Sequence, residues 1–163
     1  MGIATISNLI IRSIAIESLH YLLMKTHSLF SKRVMAEASH AGLTSGQPKV
    51  LEYLTLFGEA DQKTIAAYCE IEPATVGSIL LRMEENGLIL RRQKAGNRRS
   101  LYVSLTDKGR NAATRVEEIF HRVEADSARE LSPDEVQLLQ ELLNKLCTGL
   151  QPNANFQKEK ESL

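Results

Sequence analysis

The sequence has no tryptophan, only four phenylalanines and only two cysteines. With so few large rings, the core must be built mainly from Leu, Ile, Val and Ala, a set that leans helical. The cysteines, Cys69 and Cys147, lie far apart, with no CxxC and no Cys/His spacing of a metal site. That argues against a disulfide framework or a zinc module, and both read as reduced, mostly buried thiols. His20, His27, His40 and His121 show no HExxH-like ligand spacing. A Gly-rich phosphate loop and GxSxG are missing too. The chain therefore reads as a non-enzyme with no cofactor and no metal. No long hydrophobic run exists either. The apolar N-terminal stretch is cut by Arg12, Glu17, His20 and Lys25, which excludes a membrane span. It lacks the basic start and small-residue cleavage site of a signal peptide, so a cytoplasmic location is expected. Finally, net charge is absent: 20 basic residues balance 20 acidic ones.

What is present is an ordinary globular composition, 43% hydrophobic and 25% charged over 163 residues. That length suits one domain with a real core. Although the net charge is zero, the charges are unevenly placed. Arg91, Arg92, Lys94, Arg98 and Arg99 crowd into nine residues without an acid among them. A neutral protein with one concentrated basic strip can bind phosphate locally.

The spacing predicts mainly α structure with one small β-hairpin. Residues 9–38 carry a broad apolar stripe that includes Ile10, Ile14, Leu22 and Leu29, giving one long helix ending near His40. The stripe is too apolar for a monomer surface, so residues 1–42 read as a dimerisation element. Gly46-Gln47-Pro48 opens a second helix, with Val50, Leu51, Leu54 and Phe57 inward and Gly58 as its stop. Asp61 caps a short third helix, 62–69, with Ile65, Ala66 and Tyr68 inward. After the turn Glu70-Ile71-Glu72, Pro73 opens a fourth helix that Gly87 closes. Leu88-Ile89-Leu90 and the alternating residues 100–105 then form a hairpin around Lys94-Ala95-Gly96-Asn97. A fifth helix follows, with Ala113, Val116, Ile119, Phe120 and Val123 as its stripe. Ser132-Pro133-Asp134-Glu135 is a capping box that starts a sixth, leucine-rich helix, ended by Gly149. Residues 107–150 read as C-terminal dimerisation helices and 151–163 as a loose tail.

Residues 47–106 thus read as a helix-turn-helix followed by a β-wing. A short helix braces the next, whose N-terminal half can enter a major groove about 12 Å wide. On that fourth helix Val76, Ile79, Leu80 and Met83 pack inward, while Thr75, Ser78 and Arg82 share the outer side. Gly77 brings the backbone close to any neighbour. The wing places Lys94, Asn97, Arg98 and Arg99 near a phosphate backbone or a minor groove. These eight residues are the candidate DNA contacts.

Two runs carry a family resemblance. Pro73-Ala74-Thr75-Val76, continuing through Arg82-Met83-Glu84-Glu85-Asn86-Gly87-Leu88-Ile89-Leu90-Arg91, resembles the recognition helix and first wing strand of the MarR family of bacterial regulators. Asn97-Arg98-Arg99, followed by Val103-Ser104-Leu105-Thr106-Asp107-Lys108-Gly109, resembles that family's wing signature, usually Asp-x-Arg and then Val-x-Leu-Thr-x-x-Gly. The resemblance covers about residues 9–150. It implies a homodimer joined through its terminal helices, paired winged domains on a pseudo-palindromic double-stranded DNA operator, and repression relieved by a small phenolic or lipophilic effector. An effector site is expected between the dimer-forming helices and the winged domain, with Tyr21, His27 and Arg33 as its polar groups. One position departs from the pattern: Asn97 stands where the family has Asp. An exposed salt bridge contributes little, so a looser wing is expected rather than a dead one. Two other readings stay open, a winged-helix regulator without an effector and a helical protein-interaction module.

Overall fold

The computed structural model describes the backbone of residues 18–94 and 97–151, and the side chains of all of these except 94 and 97–100. The expected first half of the long helix, including Ile10 and Ile14, lies outside the described residues. So does the tail from residue 152. The chain divides between Val123 and Glu124 into two units.

The first unit contains α1 (Leu19–His40), α2 (Gln47–Phe57), β1 (Ala60–Asp61), α3 (Gln62–Cys69), α4 (Pro73–Glu85), β2 (Ile89–Lys94), β3 (Asn97–Leu105) and most of α5 (Asp107–Ala128). The second contains α6 (Pro133–Leu150). The hairpin is part of a three-stranded antiparallel sheet in the order β1-β3-β2. The added strand pairs Ala60 with Val103 and Asp61 with Tyr102. Two residues are too few to show alternation, so the sequence pattern misses it.

The core of the first unit is aliphatic, as the scarcity of rings requires. Val50, Leu51, Ile65, Val76, Leu80, Met83, Ile89, Val103, Val116 and Val123 are all buried. They bring α2, α3, α4, the sheet and α5 onto one cluster. Asp61 caps α3 by accepting from the Thr64 N–H at 2.9 Å. This bond is the main reason its carboxyl sits below the usual range.

Four expectations are corrected. Phe57 and Tyr68 do not point inward. They are 61% and 42% exposed and pack at tilted to edge-on angles with Tyr53 in an aromatic triad, with ring centres 5.1–5.2 Å apart. Their helical phase is right, but large rings cluster here at the margin of a core filled by aliphatics. Cys69 is buried, yet Cys147 is exposed, because none of the residues of α6 is buried. Gly149 does not end α6, which continues to Leu150. The strands are longer than expected because β2 runs on through the arginines to Lys94.

Candidate nucleic-acid interface

The fourth helix of the sequence reading is α4, and its two faces separate as the spacing predicts. Val76, Ile79, Leu80 and Met83 are buried, while Thr75, Ser78 and Arg82 are exposed. Ser78 Oγ donates to the Ala74 carbonyl (3.3 Å), and Arg82 Nε donates to the Ser78 carbonyl (3.3 Å). Both side chains therefore lie along the outer face. Pro73 stands in the first turn, where its missing N–H costs nothing. Glu70, at φ 52°, makes the turn between α3 and α4.

The exit from α4 is built with equal care. The Gly87 N–H bonds to the Glu84 carbonyl (2.8 Å) and the Leu88 N–H to the Met83 carbonyl (2.8 Å). This pairing is a Schellman stop, and it needs the left-handed φ of 68° that Gly87 adopts. Leu88 and Met83, the two apolar residues of the stop, are both buried.

The Val-x-Leu-Thr-x-x-Gly run makes structural contacts here. Thr106 Oγ1 donates to the Gly87 carbonyl at 2.7 Å and accepts from the Gly109 N–H at 3.0 Å. It caps α5 and ties it to the stop of α4 in one residue. Gly109 is small because a Cβ there would lie 1.9 Å from the Leu88 carbonyl oxygen. Lys108 Nζ donates to the Asn86 carbonyl at 2.7 Å, on the last turn of α4 where a cation is favoured. The motif joins α4, the hairpin and α5.

The basic strip is less free than its composition implies. Arg91 Nε donates to Glu84 Oε2 at 2.9 Å, and its backbone N–H donates to Glu84 Oε1. The Arg91 side chain holds the Glu84 carboxyl below the usual range. Arg92 reaches Glu59 Oε2 at 2.9 and 2.7 Å. These two arginines anchor β2 to α4 and to the entry of β1. The β2–β3 register steps from Gln93–Leu101 to Lys94–Asn97. A single step of β2 therefore spans residues 98–100 of β3, and the backbone of Arg98 and Arg99 belongs to an irregular loop-out. The side chains of Lys94, Asn97, Arg98 and Arg99 lie outside the described residues.

Tyr21, His27 and Arg33 all lie on α1 and are exposed. Lys25 Nζ sits 5.4 Å from the Tyr21 ring centre, Ser31 Oγ lies 3.4 Å from His27 Nε2, and Arg33 faces Glu37 at 4.0 Å. A step of six residues is about one and two-thirds turns, so the three point to different sides of the helix. Two clefts lie elsewhere. One, of about 450 Å³, runs between α2, β3 and α5 and is lined by Leu54, Thr55, Glu59, Leu105, Arg110 and Ala113. The other, of about 400 Å³, runs between α1 and α5 past Glu37, His40, Ile119 and Arg122. No group of three or more His, Cys, Asp or Glu residues among those described could hold a metal ion. No described helix is long and apolar enough to cross a membrane.

A braced helix with a small polar outer face, rooted to a hairpin with a basic tip, defines a winged helix-turn-helix DNA-binding protein. Comparison with known proteins agrees. Residues 43–101 match the MarR family. The homoprotocatechuate degradative operon repressor of Escherichia coli is 33% identical over 106 residues, which cover 62% of this chain and 71% of that repressor. A solved structure of the transcriptional repressor CouR bound to a 23-mer DNA duplex shares 26% identity with a TM-score of 0.74, covering 80% of this chain and 93% of that one. BpsR of Bordetella bronchiseptica, whose DNA binding is regulated by 6-hydroxynicotinic acid, has the same fold, with a TM-score of 0.74 at 22% identity over 80% of this chain and 99% of that one. The chain belongs to the MarR family of DNA-binding transcriptional regulators. Its relatives are regulators of transcription, which are not enzymes.

Proposed function

We propose that this protein is a cytoplasmic homodimeric repressor that binds a pseudo-palindromic operator and is released by a small aromatic acid. The observation that carries the reading is the outer face of α4. Thr75, Ser78 and Arg82 are exposed on a helix held at both ends, beside a wing whose base is pinned by Arg91 and Arg92. Thr75 and Ser78 take base edges and the first phosphates. Arg82 takes phosphate further along. Lys94, Asn97, Arg98 and Arg99 carry the wing to the neighbouring groove. Gly77 lets α4 pack closely.

Dimerisation is supported by the exposed apolar faces of α1 and α6, which include Leu22, Leu23, Leu139 and Leu142. The effector reading draws on the relatives, which include the homoprotocatechuate degradative operon repressor and BpsR, whose DNA binding is regulated by 6-hydroxynicotinic acid. The apolar cleft between α2, β3 and α5 is the better seat for it. Arg110 at its edge, held by Asp107 and the Leu105 carbonyl, is the cation that a carboxylate would share with Asp107. Tyr21, His27 and Arg33 diverge around α1 and cannot converge on one small molecule within a protomer.

The test is fluorescence anisotropy with DNA from upstream of the protein's own gene. Tight binding that survives excess random duplex, and weakens on adding a hydroxylated aromatic acid, supports the reading. Equal affinity for random duplex would overturn it. Arg99→Ala should weaken binding to all sequences and reduce the salt slope by about one unit per lost phosphate contact. Thr75→Ala and Ser78→Ala should instead change operator preference, each lost base contact costing about 1–3 kcal/mol.

A further inference from the structure

The geometry points to Gln62 as a positioning residue for sequence recognition, with Gly77 serving Gln62 rather than the DNA. This inference rests on the reading that the outer face of α4 meets bases. Gln62 is the first residue of the bracing helix α3. Its Nε2 crosses to α4 and donates to the carbonyl of Pro73 at 2.8 Å. Pro73 is the first residue of α4, two positions before Thr75. The bond therefore fixes the end of α4 that must be placed against base edges. Most of the other ties on this helix act at its far end, through Gly87, Leu88, Asn86 and Glu84.

Gly77 explains how Gln62 reaches that carbonyl. A Cβ at position 77 would lie 3.0 Å from Gln62 Nε2 and 3.4 Å from its Oε1. These are the nearest atoms around it. The space beside this glycine is thus occupied by the glutamine amide, and a methyl group there would press on the amide and oblige it to give by a few tenths of an ångström, straining its bond to Pro73. The backbone at Gly77 needs no left-handed conformation, so conformational freedom is not what the glycine provides. In a helix interior alanine is the better residue by about 0.5–1 kcal/mol. A glycine stands here against that preference, and the seat of Gln62 accounts for it. The two residues form one device, at the fifth residue of α4 on one side and the first of α3 on the other. Their contact spans the turn that gives the motif its angle.

A residue that positions α4 should lower discrimination more than general affinity, because the wing's phosphate contacts do not depend on it. The experiment uses the full-length protein, its operator, a set of single-base operator variants and a random duplex, titrated by anisotropy at several salt concentrations. The variants are Gln62→Ala, Gln62→Glu, Gly77→Ala and the double variant Gln62→Ala/Gly77→Ala. Gln62→Glu keeps the shape and removes the donor. Each single variant should lower the ratio of operator to variant affinity by about two- to tenfold, the scale of one hydrogen bond. For the uncharged variants, affinity for random duplex and the salt slope should change less than discrimination does, whereas the carboxylate of Gln62→Glu should also weaken binding to every duplex by repulsion from phosphate. The double variant should be no worse than either single one, because both changes break the same contact.

Three results would overturn the inference. One is a Gln62→Ala protein that binds every duplex more weakly with a flattened salt slope, which makes Gln62 a phosphate ligand. Another is a Gly77→Ala change that costs as much in the Gln62→Ala background as in wild type, which makes the glycine serve the DNA. The third is discrimination that does not change at all. If Thr75→Ala and Ser78→Ala alter operator preference while Gln62→Ala does not, this inference fails alone. If none of the three alters it, the reading of α4 as the base-contacting helix fails with it.

Discussion

The helices α4 and α6 start alike and end in opposite situations. Each opens with proline in its first turn and carries an apolar stripe. In α4 that stripe is consumed inside the protomer, with Val76, Ile79, Leu80 and Met83 between 0% and 3% exposed. In α6 none of the residues is buried, and Leu138, Leu139, Leu142, Leu143 and Leu146 stand 36–54% exposed. Composition does not separate the two. What separates them is burial: α4 is held by its own chain, whereas the apolar face of α6 is left uncovered among the described residues and is the face that the proposed dimer would use.

The most severe way to break this contrast is to charge the face of α6. Leu142→Asp should abolish the dimer, and operator affinity should fall by about 10²–10⁴-fold because the two half-sites then bind independently. Sedimentation velocity paired with anisotropy checks it. A wild-type protein that sediments as a well-folded monomer would show that the α6 face has no such partner. Next in size is Leu80→Ala in α4. Truncating this buried leucine should cost about 2–5 kcal/mol of stability, and that loss should not depend on protein concentration. A urea titration at two concentrations distinguishes the cases: the α6 variant loses the concentration dependence of the wild type, and the α4 variant keeps it.

A smaller effect belongs to the joint between α4 and α5. Thr106→Ala removes the cap of α5 and the bond to Gly87, and should cost about 1–2 kcal/mol. Thr106→Ser retains the hydroxyl and should restore most of it. If Ser behaves like Ala, the methyl group rather than the hydroxyl holds the joint.

The same contrast shows what a single chain's sequence can carry. Helix periodicity separated the two faces of α4, and local chemistry placed Pro73, Gly87 and the Ser132–Glu135 capping box. These signals act over a few residues, so they can be read in order along the chain. Partners distant in sequence could not be read. Glu59 meets Arg92 from 33 residues away, and without that pair the basic strip looks more available than it is. Gln62 escaped notice because its target, Pro73, is 11 residues on and across a turn. Phe57 and Tyr68 had the right phase for burial, yet periodicity cannot tell which apolar residues a finite core has room for. Thr106 and Gly109 were legible as a motif, but their physical task, holding α5 against the end of α4, needed the fold.

The smallest predicted effect tests whether the base of the wing is electrostatically tuned. Glu84 is held by Arg91 below its ordinary value of 4.5, chiefly through the side-chain hydrogen bond. A lowered pKa in the folded state means that the carboxylate contributes stability above the ordinary value. That contribution is lost as pH falls from there through the lowered folded value. Glu84 and Arg91 keep 35% and 20% side-chain exposure, so water screens the pair and its worth is at most about 1 kcal/mol. Glu84→Gln should therefore destabilise the protein slightly at pH 7 and hardly at all once pH lies below the folded value. Urea titrations of both proteins across this range should show the difference shrinking toward acid. High salt at pH 7 should reduce the difference less than acid does, because salt weakens the Coulombic attraction but leaves the hydrogen bonds. A difference that stays constant with pH would mean that Glu84 holds the wing by shape alone, and that Arg91 could be replaced by any residue that fills the same space.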